Sequence, residues 1–99
     1  MITRISITIK HLENYCLLLK EHQRLLNILE QNPDDENTFD LLYDIYIAIE
    51  NNGIYYTLPE DLDNAESICD LIDILQNEEA NCLTDAIQLC RVKKLLRLS

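Results

Sequence analysis

Carboxylates are the most abundant reactive side chains in this sequence, and two stretches start with the spacing of a calcium-binding loop. One starts at Asp34, but Phe39 stands where an EF-hand loop needs glycine for its sharp turn. The other starts at Asp61, and Glu66 occupies the same position there. Both have isoleucine in place of the bidentate glutamate that completes the loop. Neither stretch predicts a calcium site.

The cysteine and histidine spacings predict neither a metal site nor a catalytic base. Cys82 and Cys90 share a helix face, but they are about 12 Å apart along it, too far to ligate one zinc ion. His11 and His22 have no obvious acid partner, which favours ordinary, partly exposed histidines. Gly53 is the only glycine, which excludes phosphate-binding loops and the nucleophile elbow. We therefore predict that the protein is not an enzyme and has no cofactor.

Charge divides the chain into three parts, and the middle part is acidic. All acidic residues except Glu13 and Glu21 lie between Asn27 and Cys90, a stretch that contains no lysine or arginine. The segment that follows it contains basic residues and no acid. The net charge of −10 repels phosphate backbones, so we expect no binding to nucleic acid.

Apolar residues recur at helical spacing through the acidic stretch, which indicates folded helices rather than a disordered tail. The region up to Gln31 is predicted to be helical, although residues 3–10 also fit a short strand. Leucines are so frequent between residues 11 and 31 that this region is either buried on two sides or divided into two helices. Asn32 precedes Pro33 and ends the pattern, because a residue before proline is pushed out of the helical conformation.

End signals predict the remaining helices. Asn37 is the predicted N-cap of a helix that runs to about Glu50, and Gly53 closes it in the left-handed conformation. Pro59 begins the next helix, which runs to Gln76, and Asn77 caps the last one. The buried positions predicted for the first two helical regions are Leu12, Cys16, Leu19, Leu26 and Leu29, then Phe39, Leu42, Ile45, Tyr46 and Ile49. Those predicted for the last two are Leu62, Ala65, Ile68, Cys69, Leu71, Ile72 and Leu75, then Leu83, Ala86, Ile87 and Cys90.

Length and pattern together predict one all-α domain over residues 1–99, a compact antiparallel bundle of four to six helices. A chain of 99 residues buries about 60–70% of its unfolded surface, enough for a core without disulfides. Every cysteine lies in an apolar helical run, so we predict buried free thiols in a reducing, cytoplasmic compartment. The absence of a long apolar run predicts no secretory segment and no membrane association.

The tyrosines form a second cluster that could serve binding. Tyr43, Tyr46, Tyr55 and Tyr56 lie close together in the sequence. One interpretation places Tyr46 in the core and the other hydroxyl groups at its rim. The other is a tyrosine-rich contact surface bordered by acids.

The last third of the chain resembles the second half of a death effector domain. The segments 70–78, 83–90 and 91–98 read as an apolar helix, a short turn, another apolar helix, and then a basic residue before a Leu-Leu pair. The resemblance implies a death-fold bundle of six antiparallel helices, as in apoptotic adaptors and initiator caspases. Lys93 and Lys94 stand where that family has the aspartate of its Arg-x-Asp-Leu element.

We therefore expect a non-enzymatic interaction domain of death-effector type that recruits related domains in apoptotic or innate immune signalling. Its partner would be a protein, with homotypic self-association between an acidic face and a basic end. The candidate acidic face comprises Asp34, Asp35, Glu36, Asp40, Asp44, Asp61, Asp63, Asp70 and Asp73. The candidate basic end comprises Arg91, Lys93, Lys94 and Arg97. The alternative is a small acidic inhibitor, such as an immunity protein, antitoxin or nucleic-acid mimic, that blocks a basic site on a toxin or nuclease.

Overall fold

The computed structural model describes residues 4–98, and these residues form four α-helices joined by turns. The helices are α1 (Arg4–Gln31), α2 (Glu36–Asn51), α3 (Ala65–Gln76) and α4 (Leu83–Leu98), with one 3₁₀ turn at Glu60–Leu62. No strand occurs within residues 4–98. The predicted all-α bundle of four to six helices is confirmed with four, fewer than the six that the resemblance to a death effector domain implies.

The first helix is continuous over 28 residues, so the helical interpretation of the N-terminal region is correct from Arg4 onwards. Ile2 and Thr3 lie outside the described residues. The helix ends at Gln31, immediately before the predicted stop at Asn32-Pro33. α1 is buried on two sides rather than divided, because α2 packs against one side of it and α3 against another.

α2 packs against α1, α1 against α3, and α3 against α4. The helices therefore form a flat layer in the order α2, α1, α3, α4. The side-chain amide of Asn52 donates a hydrogen bond to the carbonyl oxygen of His11 at 3.4 Å, so α2 runs back along α1. The molecule measures 46 × 40 × 19 Å. Its radius of gyration is 15.5 Å, above the roughly 13 Å of a compact domain of this length. The flat shape leaves α2 at one edge of the layer and α4 at the other.

The core lies where the first half of α1 meets α3, α4 and the end of α2. Its buried members are Leu12, Tyr15, Cys16, Ile49, Ile54, Leu62, Ile68, Leu71, Ile74, Leu75, Ala80, Ala86 and Cys90. Leu25 is buried farther along α1, outside this cluster. The predicted buried positions are largely confirmed for α3 and α4, where a single face of each helix meets its neighbours.

Four predicted core positions are wrong: Cys69, which is exposed on α3, and three residues of α1 and α2. Leu26 is 40% exposed, whereas its neighbour Leu25 is buried. Phe39 is 65% exposed and Tyr46 is 47% exposed, so neither belongs to the inner side of α2. The error has one physical cause. Both helices carry apolar residues on more than one face, and spacing alone cannot tell which face meets a neighbour.

The helix ends also differ from the prediction. Asp35, not Asn37, caps α2: its carboxylate accepts hydrogen bonds from the backbone N–H and the hydroxyl group of Thr38, at 3.2 and 2.9 Å. These bonds lower the pKa of Asp35, and the hydroxyl bond has the larger effect. α2 ends at Asn51, close to the predicted Glu50, but Gly53 does not adopt a positive φ; the C-cap is Asn52 in an extended conformation.

Pro59 precedes the 3₁₀ turn rather than the next α-helix, which starts later with Asn64 as its N-cap. Asn77 ends α3 instead of starting α4. The N–H groups of Glu78 and Glu79 bond to the carbonyls of Leu75 and Ile74, which is the Schellman pattern of a helix end. α3 ends at Gln76, as predicted, but Glu78 takes the left-handed position after it at φ 58°, where glycine is usual, so the sequence does not reveal the turn.

Candidate interaction surfaces

α2 carries apolar side chains on two faces, and one of them remains in solvent. On the inner face, Ile49 lies in the core and Ile45 packs against it. The outer side chains follow helical spacing and are Phe39 (65% exposed), Tyr43 (63%), Tyr46 (47%) and Ile47 (38%). We call these four residues the α2 surface. They form an apolar stripe on a helix whose opposite face is already packed.

Acidic residues border the α2 surface. Asp40 and Asp44 are both exposed on the outer side of the helix. A hydrogen bond between Tyr46 and Glu50 raises the pKa of the tyrosine hydroxyl group. The interpretation that places Tyr46 in the core is wrong, because Tyr46 is exposed together with Tyr43 and Tyr56, whereas Tyr55 packs against the core.

A smaller apolar surface lies at the opposite edge of the layer. Val92, Leu95 and Leu96 of α4 are 51%, 67% and 68% exposed, and their spacing places them along one side of the helix. We call these three residues the α4 surface. Arg91 lies beside it, with its side chain 46% exposed.

The four residues of the predicted basic end contact side chains of their own chain. Arg91 makes two hydrogen bonds to Asp61, at 3.0 and 2.8 Å. Arg97 bonds to Asp70 at 3.3 Å, Lys93 pairs with Glu79, and Lys94 donates to Ser67. These contacts tie α4 to α3 and to the turns that flank α3. Because the side chains of the ion pairs are partly exposed, by 24–57%, solvent screens their charges and each pair contributes little to stability.

The contact with Arg91 changes the titration of Asp61. The hydrogen bond from Arg91 lowers the pKa of Asp61, so this carboxylate is charged throughout the neutral range. The interaction therefore supports the fold above the ordinary titration range of a carboxyl group, and it is lost as the pH falls through the lowered pKa of Asp61.

The predicted acidic residues fall into two groups on opposite sides of α1. Asp34, Asp35, Glu36, Asp40 and Asp44 lie in the α1–α2 turn or on α2. Asp61, Asp63, Asp70 and Asp73 lie on α3 or just before it. Several of them already bind groups of their own chain. Asp35 caps α2, Asp61 and Asp70 pair with arginines, and Asp63 accepts a hydrogen bond from the hydroxyl group of Tyr15.

The cysteines are free thiols, but only two of them are buried. Cys16 and Cys90 are buried, as predicted, whereas Cys69 and Cys82 are exposed. Cys69 lies on α3 beside the face that enters the core, and Cys82 lies in the turn before α4. The predicted burial of these two cysteines is wrong, because it was based only on their apolar neighbours in the sequence. Burial raises the pKa of both Cys16 and Cys90.

We expect Cys69 and Cys82 to react quickly with a maleimide in the native protein, and Cys16 and Cys90 to react only after denaturation. The reason is that modification requires an accessible thiolate, which burial disfavours. Intact mass after brief labelling measures the number of modified thiols. Labelling of all four thiols, or of none, in the native protein would contradict the exposures.

Within residues 4–98, histidine, cysteine and acidic side chains do not gather in groups of three or more that could hold a metal ion. In the same part of the chain, no helix combines the length and apolar character needed to cross a membrane.

Comparison of the chain with protein-family models, with curated proteins and with solved structures finds no match. The candidate surfaces therefore rest on their own geometry and chemistry.

Proposed function

We propose that this chain is a non-enzymatic, cytoplasmic protein–protein interaction domain of death-effector type, which recruits a second copy of itself or a related domain. The α2 surface carries this proposal. Four large apolar or aromatic side chains stay in solvent there, on a helix whose inner face is already packed. Exposed apolar patches with aromatic residues and a polar border are typical of protein contact surfaces.

The α4 surface has the properties that a partner of the α2 surface needs. It offers exposed apolar side chains at helical spacing, with the basic Arg91 beside them. The α2 surface has acidic neighbours, Asp40 and Asp44, which would attract that charge. Two copies can therefore join α4 to α2 across the edges of their layers.

Such a contact uses different surfaces on the two molecules. It leaves one α2 surface and one α4 surface open at the ends of every dimer, so the same contact can be repeated. Burial of the apolar stripes would supply most of the affinity, and the charges would set orientation and encounter rate. The basic residues of α4 already contact their own chain, which further limits what their charges add between molecules.

Two complementary variants test this arrangement. One carries Phe39→Asp and Tyr43→Asp and so loses the α2 surface; the other carries Val92→Asp and Leu95→Asp and so loses the α4 surface. We expect the wild type to self-associate and each variant alone to be monomeric. A mixture of the two should form dimers, because each variant retains the surface that the other has lost. Sedimentation velocity or light scattering measures all four samples.

The control is Leu17→Asp on α1, a similarly exposed leucine (64%) outside both surfaces. This variant should associate like the wild type, and circular dichroism should show native helix content in every variant. A mixture that stays monomeric would contradict the contact between α2 and α4.

One observation favours the acidic inhibitor as a second candidate. The basic residues of α4 are engaged within the chain, so acids dominate the charge offered to a partner. A wild type that stays monomeric at high concentration would remove the homotypic proposal and favour the inhibitor. Salt-sensitive binding to a basic protein would then be expected, because exposed charges are screened by salt.

A further inference from the structure

Two cysteines face each other across the contact between α1 and α3. The sulfur atoms of Cys16 and Cys69 are 3.9 Å apart. Cys16 is 6% exposed, and its thiol also lies 3.9 Å from the carbonyl oxygen of Ala65 in the first turn of α3. Cys69 is exposed to solvent one turn farther along the same helix. The pair therefore combines one exposed cysteine with one buried cysteine.

We propose that Cys16 and Cys69 form a reversible disulfide between α1 and α3 when the protein meets a hydroperoxide. The bond requires the two sulfur atoms to approach from 3.9 Å to about 2.05 Å. Rotation of the exposed Cys69 side chain can provide most of this movement, because that side chain is not enclosed by the core. The proposal does not depend on the function proposed above.

The chemistry needs one equivalent of hydrogen peroxide. The Cys69 thiolate attacks one peroxide oxygen, the O–O bond breaks, and the released hydroxide leaves as water with the proton that the thiol gave up. The sulfur of Cys16 then attacks the resulting sulfenic sulfur of Cys69. The S–S bond forms, the S–O bond breaks, and a second water carries away the proton of Cys16. Two thiols and one peroxide thus yield one disulfide and two water molecules.

The surroundings of the two cysteines indicate which of them reacts first with the peroxide. Burial, followed by the contact with Cys69, raises the pKa of Cys16, so this thiol stays protonated at neutral pH. Cys69 is the exposed residue that peroxide can approach, whereas Cys16 is buried with its sulfur beside Cys69 and the carbonyl oxygen of Ala65. An accessible thiol beside a resolving thiol is the arrangement found in redox-sensing cysteine pairs.

The disulfide should stabilise the fold, because it joins residues 53 positions apart in the sequence. Closing a loop of this length restricts the unfolded chain, and we expect Tm to rise by about 10 °C or more after oxidation. Reduction with dithiothreitol should reverse the change, since it exchanges the disulfide back to two thiols.

The experiment compares wild type, Cys69→Ser and the matched control Cys82→Ser, which removes the other exposed thiol. Each folded protein is treated with hydrogen peroxide or with dithiothreitol, digested with trypsin without reduction and analysed by mass spectrometry. Cleavage after Lys10 and Lys20 isolates Cys16 in one peptide, whereas the other cysteines share the peptide between Arg24 and Arg91. A link between these two peptides reports the proposed bond.

We expect the link, together with the loss of two hydrogen masses and the rise in Tm, in the wild type and in Cys82→Ser. Cys69→Ser should show none of these changes. The proposal is overturned if Cys69→Ser still forms the link, if Cys82→Ser loses it, or if peroxide leaves the wild type without a bond to Cys16.

Discussion

Replacing Leu12 with alanine should destabilise the protein by about 2–5 kcal/mol, a large part of the roughly 5–15 kcal/mol that holds a small domain folded. Leu12 lies on α1 with no exposed surface, within the cluster that joins α1 to the other helices. Truncation removes apolar contacts and leaves a cavity that the surrounding helices can fill only in part. The midpoint of urea unfolding, followed by circular dichroism, should fall accordingly.

Leu17→Ala provides a matched control on the same helix. Leu17 is 64% exposed, so its truncation removes little buried surface and should change stability by less than about 0.5 kcal/mol. Equal unfolding midpoints for the two variants would contradict the placement of Leu12 in the core. The comparison also tests the orientation of α1, which determines the side on which α3 packs.

The sequence predicts the helices of this fold better than their ends. The regular apolar spacing of α3 and α4 identified Ile68, Leu71, Ala86 and other core positions, because each helix turns one apolar side inward. Helix ends depend on single backbone conformations. The end of α3 at Gln76 was predicted, but Glu78 takes a left-handed position that favours glycine, so no sequence signal reveals the turn that follows the helix.

The candidate surfaces were harder to predict for a different reason. Phe39, Tyr43, Tyr46 and Ile47 have the spacing of a buried stripe, and so do Leu42, Ile45 and Ile49 on the inner side of the helix. Only the packing of α2 against α1 decides which stripe is exposed. Two apolar stripes on one helix are nevertheless visible in the sequence, and they indicate either burial on both sides or a contact surface.

Tyr15 is a core residue that the apolar pattern did not identify, because tyrosine carries a polar hydroxyl group. Its ring is fully buried, and the hydroxyl group donates a hydrogen bond to an Asp63 carboxylate oxygen at 2.5 Å. Burial and, to a smaller extent, the contact with Asp63 raise the pKa of Tyr15 well above the usual value for tyrosine. The folded protein therefore keeps the Tyr15 proton at alkaline pH.

The unfolded chain loses that proton near pH 10, because its tyrosines are solvated. The stability contributed by neutral Tyr15 is thus fully present below about pH 10 and is lost as the pH rises above that value. Between the unfolded and the folded pKa, the free energy of unfolding should fall by about 1.4 kcal/mol per pH unit on account of this one group.

Tyr15→Phe should remove this part of the alkaline slope, because phenylalanine has no proton to lose. At neutral pH the variant should be less stable than the wild type by about 1 kcal/mol, the usual net contribution of a hydrogen bond. That difference should shrink as the pH rises, and above pH 10 it should reverse. Urea unfolding from about pH 8 to about pH 11.5 measures both effects across the range in which unfolded tyrosine ionises.

Tyr56→Phe is the control: Tyr56 is 75% exposed, so the variant should keep the wild-type slope. Parallel slopes for the wild type and Tyr15→Phe would mean that Tyr15 ionises equally in the folded and unfolded protein, against its burial beside Asp63.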